Sequence, residues 1–328
     1  MVQSTRAGAN YGYALIIAVI LANIFKYPFF RFGPEYTSLS EESILKGYSK
    51  LGKWAIPLFY IMTLGVMFTV LAAVTVVTAG IASQLFSLTI PIAHVSLIVL
   101  LVCGIILYIG HYRFLDNLIK IIIIILTVTT LFAVGVSLTG DFPKLGNPLI
   151  FSLSEKGHIF FLIALIGWMP APLDLPIWHS MWTLAKQENS TIKINHHDTI
   201  LDFNIGFIGT TALAVCFLLL GAIVMYDTGV EFSGSAFIFA GQLISMYTKA
   251  IGDWAYPVIA ICAFSTMFST TLTCLDAYPR ILREALSISS PKMNRDSDSL
   301  YKLLLALSII GSMIILYGFM TDMKALVD

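Results

Sequence analysis

The chain has 328 residues, of which 58% are hydrophobic and only 12% charged, and its mean hydropathy is +0.87. Soluble domains carry roughly 25% charged residues, so the composition excludes an ordinary soluble protein and predicts an all-α polytopic membrane protein whose first partner is the lipid bilayer. Formal net charge is zero, which removes the electrostatic motive for nucleic-acid binding.

Crossing a hydrocarbon core of about 30 Å takes roughly 20 apolar residues. Stretches that qualify run from Tyr11 to Phe30, Trp54 to Ser83, Ile92 to Gly110, Leu118 to Leu138, Ile159 to Trp182, Thr199 to Met225, Trp254 to Leu275 and Leu300 to Met320. Together they make one integral membrane domain over residues 1–328, with the second stretch long enough to tilt or to leave the bilayer. Arg6 is followed by too long an apolar run for a cleavable signal. Residues 31–53, with Arg31, Glu35, Glu41, Glu42, Lys46, Lys50 and Lys53, read as a mixed-charge solvated loop. Val230 to Ala250 is too polar and interrupted to cross, and its Phe237, Phe239, Leu243, Ile244 and Tyr247 suggest either a short helix lying on the surface or an ordinary ordered loop. Cys103, Cys216, Cys262 and Cys274 lie in apolar runs without metal-ligand spacing and read as small packing residues.

Fourteen lysines and arginines fall on one set of loops and span ends. The other set has Arg6, Lys144, Lys156, Lys249 and Lys324. The first face is therefore cytoplasmic, and eight spans put both termini outside. A short N-terminus outside, with no signal to carry it there, points to a missing first helix.

The fifth span contains Gly167-Trp168-Met169-Pro170-Ala171-Pro172-Leu173-Asp174-Leu175-Pro176. Each proline lacks an N–H and frees the carbonyl four residues earlier, so the helix should break around an unwound centre. Non-helical backbone survives at membrane depth only where protein or a water-filled cavity satisfies it, and in transporters that is where substrate binds. Met169 offers a soft thioether, Asp174 a hard carboxylate, and Gly167, Trp168, Pro170 and Ala171 carbonyl oxygens, a mixture suited to a metal ion. His179 is a candidate proton relay if unwinding brings it to Asp174. On the seventh span Ser265, Ser269 and Thr270 form a hydroxyl row that could line a cavity, and Asp276 and Arg280, four apart, form an ion pair or a gate. The sequence contains no GxxxxGK[ST], HExxH or GxSxG motif, so ATP-driven pumping and the common hydrolytic chemistries lack support.

These residues carry a likeness. Arg6-Ala7-Gly8-Ala9-Asn10-Tyr11-Gly12-Tyr13 resembles the junction into the second helix of the natural resistance-associated macrophage protein (NRAMP) family of divalent-metal transporters. Gly167-Trp168-Met169-Pro170 is similar to the Met-Pro-His region of that family's broken sixth helix. The resemblance implies the LeuT-type inverted-repeat fold, with eight transmembrane helices present here as family helices two to nine and the first and tenth lacking. It implies that Met169 is the metal-binding methionine. It also marks departures that suggest a divergent member: Ala171 stands where the family has histidine, the Asp-Pro-Gly motif of helix one is absent, and Asp174 is an added acid.

The expectation is thus a secondary transporter in the plasma or inner membrane and not an enzyme. It would carry a manganese-, iron- or magnesium-like divalent cation as cargo with protons as the coupling ion, and need no resident cofactor. Still open are a carrier of amino acids or other organic solutes on the same fold, a non-transporting receptor, and an intramembrane enzyme using Asp174, His179 and Asp276. Nothing in the sequence specifies an oligomeric state.

Overall fold

Inside lipid a backbone must satisfy its own N–H and C=O groups, and this chain does so with helices. A computed structural model describes residues 2–109, 112–139, 151–189, 195–226, 233–290 and 298–318. In order the helices are α1 (Val2–Tyr11), α2 (Ile16–Ser40), α3 (Ile44–Ser49), α4 (Ala55–Leu85), α5 (Ile92–Ile109), α6 (Tyr112–Thr139), α7 (Lys156–Trp168), α8 (Leu175–Asn189), α9 (His196–Val224), α10 (Ala236–Ile251), α11 (Tyr256–Ser289) and α12 (Asp298–Gly318), with a 3-10 turn at Asp253–Ala255. Over their described residues the eight predicted stretches fall on helices, apart from the turn after Tyr11 and the break within the fifth. Six, namely α2, α4, α5, α9, α11 with its preceding turn, and α12, are long and apolar enough to cross a membrane. The fourth is α6, and the fifth is divided between α7 and α8. Of the charges used to assign the cytoplasmic face, Lys144, Lys193, Lys292, Arg295 and Lys324 lie outside the described residues.

Two packed bodies follow from the contacts. In the larger, α11 runs along α4, α12, α6 and α5. At 31 and 34 residues, α4 and α11 are about 46 and 51 Å long, well beyond the hydrocarbon thickness. Thr78 and Thr271 join them through a buried 2.8 Å hydrogen bond, and Thr78 also donates to the Met267 carbonyl at 3.1 Å. The smaller core gathers Ala7, Leu15, Val19, Phe161, Leu165, Met169, Ala214 and Leu218 from α1, α2, α7 and α9, with Met169 at the junction that follows α7.

Three features depart from the sequence reading. The residues before the first span form a separate helix: Gly12, at φ +57°, ends α1 in a left-handed turn, and α1 buries Gln3, Ser4, Thr5 and Arg6. It reaches α9 through a glycine pair. A Cβ on Gly8 would lie 2.0 Å from the Leu218 carbonyl oxygen, and one on Gly221 2.3 Å from that of Thr5, the close approach that small residues permit between membrane helices. Secondly, α2 does not stop at Phe30 but continues through Pro28 and Pro34 to Ser40. The expected solvated loop is helical there because Arg31 and Glu35 pair at 3.0 Å one turn apart, and Gly33 lets the Pro176 carbonyl come within 2.2 Å of where a Cβ would sit. Thirdly, α10 packs one face into the core, while Phe237 and Ile238 stay 41% and 51% exposed. Phe239, Ala240, Leu243, Ile244, Met246 and Tyr247 are all 0% exposed, because α10 wedges against α4, α6 and α11. The Tyr247 hydroxyl bonds Thr130 of α6 at 2.9 Å, which satisfies the one polar atom on the buried face of that tyrosine.

Candidate functional site

The predicted break is present. Helix α7 ends at Trp168, where Met169 turns to extended backbone (φ −94°, ψ 127°), and α8 begins at Leu175. Between them the chain is non-helical, as the missing donors of Pro170 and Pro172 require. The Asp174 carbonyl accepts from Ile177 and Trp178 at 3.0 and 3.4 Å. Asp174 therefore sits at the N-terminal end of α8, where the helix dipole favours a negative charge.

The two expected ligands face different cores. Met169 is 4% exposed and its sulfur accepts a 3.8 Å hydrogen bond from the Ser4 hydroxyl of α1. Asp174 turns toward α11. Both of its carboxylate oxygens are buried without a hydrogen-bond partner, as are the indole nitrogen of Trp178 and the hydroxyl of Tyr278. Trp178 and Tyr278 stand beside the carboxyl without meeting hydrogen-bond geometry, their rings edge-to-face at 5.1 Å. A buried carboxylate with idle donors around it is costly, and the cluster is assembled from the break and from α11.

The carbonyls of the break are also engaged. In a continuous helix Pro170 would face the Ile166 carbonyl without an N–H to give it. That carbonyl instead accepts from the Met169 N–H at 3.3 Å and from the Lys26 ammonium of α2 at 2.6 Å, and the ammonium also donates to the Gly167 carbonyl at 3.0 Å. Gly167, read from sequence as an oxygen donor to metal, thus already holds a cation of the chain.

Pro170, Ala171 and His179 line a cavity of about 440 Å³ with Trp182, Lys186 and Phe203. His179 rests against Trp182 and Phe203 at ring distances of 6.0 and 5.8 Å. With α8 helical from Leu175, His179 opens to this cavity while Asp174 faces Tyr278, and no hydrogen bond joins the two among the described residues. A second cavity, about 640 Å³, is lined by Trp182, Lys186, Thr273, Asp276, Arg280 and Tyr301, among others. Here Arg280 Nε bonds Asp276 Oδ2 and the Tyr301 hydroxyl bonds Asp276 Oδ1, each at 2.6 Å. Asp276 is 8% exposed and both of its oxygens are satisfied, the arrangement of an anchored ion pair. Ser265, Ser269 and Thr270 are half-buried on α11 and line neither cavity. Thr270 bonds back to the Thr266 carbonyl at 2.9 Å. Among the described residues no three His, Cys, Asp or Glu side chains gather as a metal cluster, so an ion at the break would rely on one carboxylate with sulfur, hydroxyl and carbonyl donors.

Sequence reasoning missed Lys26, Trp178 and Tyr278. The signal for Lys26 is that it is the one charged residue of the Tyr11 to Phe30 stretch. The partners of Asp174 carried no local signal.

A helical membrane protein with a non-helical interval between α7 and α8 beside a buried acid has the build of a solute transporter. The sequence matches the natural resistance-associated macrophage protein-like (Nramp) family over residues 1–327. It is also 39% identical over 322 residues to an uncharacterized protein of Pasteurella multocida (strain Pm70), an alignment covering 97% of this chain and 73% of the relative. The chain belongs to the Nramp family, a family of divalent-metal transporters, and is a multi-pass membrane protein.

Proposed function

We propose that this protein is a proton-coupled secondary transporter of a manganese-, iron- or magnesium-like divalent cation, working by alternating access in the plasma or inner membrane. The observation that carries the reading is the Asp174 carboxylate, buried beside a helix break with neither oxygen bonded. An intramembrane acid in such a place is a functional residue by default. Met169 supplies the sulfur that favours transition metals over harder cations. The unwound segment 170–173 supplies the mobility that would let Met169 and Asp174 turn toward a shared ion. His179, beside Ala171 in the first cavity, is the proposed proton carrier, and the Asp276–Arg280–Tyr301 cluster a gate at the second.

Manganese and cadmium uptake by cells expressing the gene tests this, with Asp174→Asn and Met169→Leu compared with wild type. Asn keeps a polar residue at the start of α8, and Leu keeps the volume of Met at a cost below about 1.5 kcal/mol. Uptake should fall at least about tenfold in both. Wild-type uptake in both variants at equal membrane abundance would sink the site assignment, and competition by amino acids instead of metals would favour an organic-solute carrier.

A further inference from the structure

Lys26 is ten residues into α2 and is the one charged residue of the Tyr11 to Phe30 stretch, which is apolar enough to lie in the hydrocarbon core. A charge at that depth is expensive and needs a partner. Among the described residues the ammonium has no carboxylate partner; it contacts the Ile166 and Gly167 carbonyls and lies 6.0 Å from the Phe30 ring. Its compensation is therefore the negative end of the α7 dipole together with the Ile166 carbonyl, which loses its Pro170 donor and takes only a 3.3 Å bond from the Met169 N–H beside it. If the sole need were to close the end of α7, an uncharged amide would serve without the desolvation penalty. What an ammonium adds is a positive charge held at the oxygens where a cation in the break would bind.

We propose that Lys26 is a tethered cation that occupies the carbonyl subsite of the break while the transporter is empty, and that an arriving divalent ion must displace it. This rests on the metal-transport reading above and deepens it. Ammonium and metal ion want the same oxygens, and their charges repel, so the two occupancies exclude one another. The empty carrier then keeps a positive charge at the break while it returns, and the loaded carrier keeps one there too. Lys26 would lower apparent metal affinity as the cost of an empty state that is electrostatically satisfied.

The test is manganese binding to the purified full chain in lipid nanodiscs, comparing wild type with Lys26→Gln, Lys26→Met, Lys26→Arg and Asp174→Asn. Lys26→Gln retains a donor without charge, Lys26→Met neither, and Lys26→Arg the charge. Affinity should rise about tenfold in Gln and Met and stay at or below wild type in Arg, a pattern set by charge that a purely structural cap would not produce. Binding seen in K26Q or K26M but not in wild type would support the proposal as well. Unchanged or weaker binding in folded Gln and Met variants would overturn it, and if Asp174→Asn still abolished binding the transport reading would stand. Failure of both neutral variants to fold while Arg folds would show a structural cap and also overturn it. No manganese bound by any of the Lys26 variants or wild type would overturn both.

Discussion

Removing the Tyr278 hydroxyl separates a site built for an ion from a cluster built for stability. Tyr278 is 0% exposed, and Phe fills the same space, so Tyr278→Phe leaves no cavity. The hydroxyl has no hydrogen-bond partner, and a buried polar group in that condition costs about 1–3 kcal/mol. The metal-free Tyr278→Phe protein should therefore be as stable as wild type or more stable by about 1 kcal/mol. Had the hydroxyl been a structural donor to Asp174, its removal would instead cost about 1.5–3 kcal/mol, the worth of a bond to a charged group. The metal-bound protein should respond in the opposite sense. At manganese one hundred times Kd, binding stabilises by about 2.7 kcal/mol, and a tenfold weaker site loses about 1.4 kcal/mol of that. Thermal unfolding in detergent, with chelator and then with excess manganese, gives both quantities for each protein. A lower chelator-state stability together with an undiminished manganese shift would refute the reasoning, since it would make Tyr278 a structural partner only.

Other expectations follow from the packing and from the loop charges. Gly221→Leu places a Cβ 2.3 Å from the Thr5 carbonyl oxygen, so α1 must move and carry Ser4 away from Met169. We expect a loss of at least about 2 kcal/mol in unfolding midpoint measurements, whereas Gly209→Ala on the same helix, with nothing within 4 Å, should be neutral or stabilising by up to about 1 kcal/mol; equal effects would contradict the close crossing. Outside the membrane, Glu42 bonds Lys46 at 2.8 Å and Lys50 at 2.6 Å. These two ammonium groups hold its carboxyl well below the usual range, to about 2. The native pKa is the lower one, so the stabilisation is fully present above the ordinary carboxylate value of 4.5 and is lost as pH falls through about 2. The difference in unfolding midpoint between wild type and Glu42→Gln should thus hold from pH 6 to about pH 5, narrow progressively below the ordinary carboxylate value, and shrink with added salt. A difference that does not change between pH 6 and pH 3 would show that the carboxyl titrates normally.

Much of the architecture is legible in one dimension. Apolar stretches of bilayer length announce the six helices long enough to cross a membrane, because the hydrocarbon core is a fixed distance that helices must cover. The break at Met169 to Asp174 is equally local, since Pro170 and Pro172 lack backbone donors whatever surrounds them. Met169 and Asp174 could be singled out on chemistry alone.

Residue order could not say what those groups face. Sulfur and carboxylate, five positions apart, turn to opposite cores because α8 restarts at Leu175 and rotates Asp174 toward Tyr278, over one hundred residues away in sequence. Lys26 finds its carbonyls 140 residues along the chain, and α10, polar enough to suggest a surface helix, buries one face because α4, α6 and α11 pack against it. Spans and breaks are set by hydropathy and by missing backbone donors, which each residue carries with it. Ligand orientation, the internal cation and the burial of α10 depend on which helices meet, and only the tertiary structure decided those.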